Sequence, residues 1–83
     1  SRPIVSQKEF EHTLSILLNN YKENNHVSNS QVVIEGGNRS SFWSEQMAEI
    51  LKVFKDEKMQ FLTLTRIVSK IRDQHNRLTF FTP

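Results

Sequence analysis

The side chains able to move protons, hold metals or attack a carbonyl are scattered along this sequence. His12, His26 and His75 each stand without a His, Cys or carboxylate at the i, i+4 spacing that would put two ligands on one helix face. They read as surface histidines. There is no cysteine, which excludes a disulfide scaffold, a thiolate metal site and a cysteine nucleophile. The serines carry no Gly-x-Ser-x-Gly elbow. Gly36-Gly37-Asn38 lacks the Lys-Ser/Thr of a phosphate-binding P-loop and reads as a turn. Asn38-Arg39-Ser40 is formally a glycosylation sequon. These patterns predict neither catalysis nor a metal nor a cofactor.

What remains is the chemistry of recognition. Arg66, Lys70, Asp73 and Arg77 recur at i, i+4, i+7 and i+11, and residues 66–77 hold four basic groups to one acidic. Such a face is either solvated surface or a patch that steers an acidic partner, with Asp73 partly neutralising Lys70 and Arg77. Trp43 sits with a core stripe, yet it follows Arg39 at the start of a helix. A half-exposed Trp beside Arg is the composition of a binding hot spot. The candidate partner-binding residues are therefore Arg39, Trp43, Arg66, Lys70 and Arg77.

Three apolar stripes must position these residues. Ser6 and Glu9 form a capping box ahead of Phe10, Leu14, Leu17, Leu18 and Tyr21, which predicts a helix over 7–24 fading at Asn24-Asn25. Ser40 or Ser41 caps a second helix over 41–56, with Trp43, Met47, Ile50, Leu51 and Phe54 inward. Thr63 caps a third over 63–76, with Leu64, Ile67, Val68 and Ile71 buried and Asn76 at its C-cap. Between the first two, Val32-Val33-Ile34 predicts a short strand within 31–35, closed by the Gly-Gly turn. A short helix capped at Ser28 and stopped by Gly36 is the alternative. Leu78-Thr79-Phe80-Phe81 is apolar enough to pack back on the body. The expected fold is mainly α with a small β element: three to four helices and a short hairpin or strand pair.

The chain has 83 residues and a formal net charge of +2, all of it in residues 41–83. That length is one small domain with a thin core, burying about 60–65% of its unfolded surface. The basic excess is too small for general nucleic-acid binding. No apolar run approaches the ~20 residues of a membrane span. Residues 1–5 read as a linker or tag remnant and 6–83 as the domain.

The closing segment resembles that of rhabdovirus phosphoproteins, especially those of lyssaviruses. The residues that carry the likeness are Lys58-Met59-Gln60-Phe61-Leu62, Ser69-Lys70-Ile71, Asp73-Gln74 and Asn76-Arg77-Leu78-Thr79. Val33-Ile34-Glu35-Gly36-Gly37-Asn38-Arg39 is similar to the strand, Gly-Gly-Asn turn and basic residue ahead of a helix in vesiculovirus phosphoproteins. Glu45 departs from that second pattern, and Trp43 does not align with the exposed lyssavirus Trp. A distant member, such as one from a plant-infecting virus, would fit both echoes. The resemblance implies a non-catalytic polymerase cofactor domain, monomeric in isolation, that binds the nucleoprotein–RNA template in the host cytoplasm and the virion. The polymerase large protein would be met through other regions of the full protein. A winged-helix fragment over 41–71, or another nucleic-acid-binding module, is the competing expectation.

Overall fold

The computed structural model describes residues 2–73. His75, Arg77, the Asn76 cap and the apolar run 78–81 lie outside the described residues. Four α-helices follow one another: α1 (Gln7–Lys22), α2 (Asn29–Arg39), α3 (Ser44–Val53) and α4 (Glu57–Ile67), with 3-10 turns at His26–Ser28 and Val68–Lys70.

Helix α1 forms as its sequence demands. The Ser6 hydroxyl accepts the amide of Glu9 at 3.1 Å. The helix ends in a Schellman closure: Asn24 takes the left-handed region at φ 59°, and Asn25 donates to the Asn20 carbonyl at 2.6 Å. Asn tolerates that conformation at little cost, which is why it stops the helix here.

The expected β element is overturned. Residues 31–35 lie inside α2, and no strand or sheet occurs among the described residues. The reason is a helical period running beneath the β-branched triplet. Asn29, Val33, Gly36 and Gly37, at i, i+4, i+7 and i+8, are all buried on one face of α2. The glycines serve close packing rather than a turn, and neither has a positive φ. A Cβ on Gly37 would come within 2.1 Å of Ile67 Cδ1, so the buried Ile67 side chain would have to move to admit one. The helix therefore runs past Gly36, three residues further than the alternative helical reading allows.

Two boundaries also differ. Helix α3 starts at Ser44 rather than 41, because Ser41 and Phe42 are held extended by bridges to Ile4 and Ile71. It stops at Val53, and the Lys55 amide donates to the Tyr21 hydroxyl at 2.8 Å. Helix α4 starts six residues before Thr63. Asp56 caps it, accepting the amides of Lys58 at 2.8 Å and Met59 at 3.3 Å. Thr63 instead lies mid-helix and fully buried, with its hydroxyl on the Met59 carbonyl at 2.7 Å.

Helices α2 and α4 pack side by side in the same direction. Thr63 and Ser30 share a hydroxyl–hydroxyl hydrogen bond of 2.8 Å at one end, and Gly37 meets Ile67 at the other. Helix α1 packs on α2 and α3. Leu17, Val33, Phe42, Met47, Ile50 and Ile67 form the driest part of the core, each at most 1% exposed. Val5 joins that core at 5% exposure, so the expected linker over 1–5 is in part a packed segment.

Candidate docking site

Three short extended threads meet where α2 ends and α3 begins. Ser41 donates its amide to the Pro3 carbonyl at 2.8 Å and accepts from the Val5 amide at 2.9 Å. On the other side, Phe42 donates to the Lys70 carbonyl at 3.0 Å and accepts from the Arg72 amide at 2.8 Å. The middle thread is thus satisfied from both ends of the chain. Its anchor is the Phe42 ring, 1% exposed and lying against Gly36.

This meeting point gathers cations. Arg39 is the exposed last residue of α2, and Lys70 is paired through its carbonyl with Phe42. The stem of Lys70 passes over Gly37, where an added Cβ would be 3.3 Å from Lys70 Cγ. Arg72 is exposed, and its guanidinium donates to the Arg2 carbonyl. Arg2 is half-buried, and its Nε is buried with no hydrogen-bond partner.

Trp43, the next residue of the middle thread, is 42% exposed and is the N-cap residue of α3. An indole has no oxygen with which to accept the orphan amides of a helix start. Two other residues do so. Gln46 reaches back to accept the Trp43 amide at 2.9 Å. Asp73 accepts the Ser44 amide at 2.7 Å through Oδ1 and the Ser44 hydroxyl at 2.9 Å through Oδ2. A carboxylate here also complements the helix dipole. Asp73 is thereby held by the start of α3. The backbone carrying Trp43 is fixed on both sides.

Of the five residues singled out from sequence, Arg39, Trp43 and Lys70 share this end of the molecule. Arg66 is exposed one turn before Lys70 on α4. Arg77 lies outside the described residues. Sequence reasoning missed Arg2 and Arg72. Arg2 was assigned to the linker. Arg72 was projected onto a helix running to 76, whereas α4 ends at Ile67 and the chain turns extended at Ile71. No local signal marks that turn: Ile71 follows Ile67 at i+4, in register with the inner stripe, and is buried as a helix would bury it.

Elsewhere, Tyr21 stacks on His26 with ring centroids 5.1 Å apart, and Lys55 Nζ lies 4.8 Å from the Tyr21 ring centre. This cluster ties the end of α1 to the α3–α4 link. Among the described residues no three His, Asp or Glu side chains converge on a metal-sized space. No helix among them is long and apolar enough to cross a membrane. No protein-family description, curated protein or solved structure matches the chain.

Proposed function

We propose that this domain is a non-catalytic docking module that binds a nucleoprotein–RNA polymer and tethers the viral RNA polymerase to it. The observation that carries the reading is Trp43, held half-exposed on a doubly capped helix start, next to Phe42, whose backbone pairs with Lys70 and Arg72. An exposed aromatic anchor with basic residues on the adjoining segments suits an acidic protein segment with an apolar side chain to bury. The likeness of residues 58–79 to rhabdovirus phosphoproteins supplies the nucleoprotein as partner, met in the host cytoplasm and carried into the virion. Attraction of this kind raises the association rate and leaves a contact weak enough to be remade along a polymer of identical subunits.

The test is co-sedimentation with nucleoprotein–RNA rings. Trp43→Ala should weaken binding by about thirtyfold, the equivalent of ~2 kcal/mol for a hot-spot Trp. Arg39→Glu with Lys70→Glu should abolish it while the helical circular-dichroism spectrum stays unchanged. Parent binding should fall as salt rises and the screening length shortens below ~10 Å. Parental co-sedimentation by the folded double variant would make the basic end mere solvated surface. Binding of bare RNA by the parent, without nucleoprotein, would replace the tether with a nucleic-acid-binding reading.

A further inference from the structure

Helix α4 carries two stripes. The inner one, through Met59, Thr63 and Ile67, is spent on the core. The outer one is Lys58, Phe61, Leu62, Thr65 and Arg66, again at i, i+3, i+4, i+7 and i+8, and all five are exposed. Phe61 is 65% and Leu62 55% exposed, adjacent large apolar side chains standing in water on a regular helix. Thr65 turns its hydroxyl onto the Leu62 carbonyl at 2.8 Å, so it offers no free donor. Lys58 and Arg66 frame the pair along one helical row about 12 Å long. Neither forms an ion pair among the described residues. The nearest acid of α4, Glu57, lies about 100° round the helix from the centre of this stripe.

From this pattern we infer that the outer face of α4 is a second docking surface, and that it takes an acidic amphipathic segment of a partner protein. The complement is set by charge and spacing. Two apolar side chains of the partner cover Phe61 and Leu62. A carboxylate one turn to either side meets Lys58 and Arg66. A helix laid along α4 has that repeat built in. A basic or neutral segment would leave both cations facing like charge or bare apolar surface. The surface is distinct from the Trp43 end and stands whether or not that end binds nucleoprotein.

The probe is a synthetic helical peptide with a Leu-Leu pair and Glu one turn before and one turn after it, titrated into isotope-labelled protein by NMR. Amide shifts should fall on residues 58–66 and spare the Trp43 indole. Phe61→Ser with Leu62→Ser should weaken binding by about tenfold or more, and Lys58→Glu by about fivefold with a loss of salt dependence. These positions are exposed, so the variants should keep the parental melt. A peptide with Lys in place of Glu should bind at least as weakly as the Phe61/Leu62 variant binds the acidic one. The inference is overturned if the shifts gather at Trp43, if the serine variant binds within about twofold of the parent, or if the Lys peptide binds as well as the Glu peptide. It is also overturned if the parent self-associates through Phe61 and Leu62 in sedimentation. The same holds if deleting residues 78–83 alone moves the Phe61 and Leu62 signals, since the chain's own tail would then be the occupant.

Discussion

Two adjacent glycines separate close packing from helix propensity at the scale of one methyl group. At Gly36 an added Cβ meets Phe42 Cζ at 3.4 Å, an ordinary contact. Gly36→Ala should therefore keep the propensity gain and stabilise by about 0.5–1 kcal/mol. At Gly37 the same methyl would sit 2.1 Å from Ile67 Cδ1, in a side chain only 1% exposed. Gly37→Ala should destabilise by about 1–3 kcal/mol, because overpacking a filled core outweighs propensity. Urea melts of the two variants should move in opposite directions. If they move together, the α2–α4 interface is looser than described. Asp73 offers a second test at this scale. Asp73→Ala should cost about 1–2 kcal/mol through the lost cap. With Ser44→Ala it should show a clearly non-additive double-mutant cycle, since both side chains make the same bond.

At the scale of elements, α1 was legible to within two residues at its end because its main signals are local: a Ser cap, one stripe and an Asn in the left-handed region. Helix α2 was not. Three β-branched residues and two glycines favour strand and turn when read locally, and the decision is made by burial against other helices. Asn29 shows how. It is fully buried, donates to the Leu17 carbonyl at 3.2 Å and accepts from Asn20 at 2.7 Å, so its place is set by residues of α1. Asn29→Ala should strand that carbonyl and amide and cost about 1–3 kcal/mol. Asn29→Asp should cost more, as it buries a charge. Thermal melts that match the parent would remove Asn29 as the pin between α1 and α2. The start of α4 was misplaced for a related reason. Asp56 serves as well to end one helix as to cap the next, and only the sharp turn at Phe54 separates the two. Of the candidate site, the residue types were readable but their grouping was not. Arg2 and Arg72 join it through threads that pair across most of the chain.

For the whole molecule, the stripes read from sequence account for most of the core: Phe10, Leu17, Met47, Ile50, Leu51, Phe54, Ile67 and Ile71 are all buried. Leu18, at 59% exposure on the flank of α1, and Trp43, at 42%, are the exposed exceptions. With so few buried groups, Ile50→Ala and Ile67→Ala should each cost about 2–5 kcal/mol and leave much of the population unfolded. Melting points within a degree or two of the parent would place these side chains outside the core. The middle thread, 40–42, has a further consequence in the order of synthesis. Its partners are Pro3 and Val5 on one side and Lys70 and Arg72 on the other. The carboxylate that closes α3 lies 29 residues beyond the serine it holds. A ribosome adding roughly 5–20 residues each second delivers that carboxylate on the order of seconds after Ser44. Until then the nascent chain carries a helix start without its carboxylate cap and a Phe42 backbone without its partners. The last described residues to be translated are the ones that lock the middle, so a product released early should be a substrate for chaperones and proteases rather than a smaller working domain.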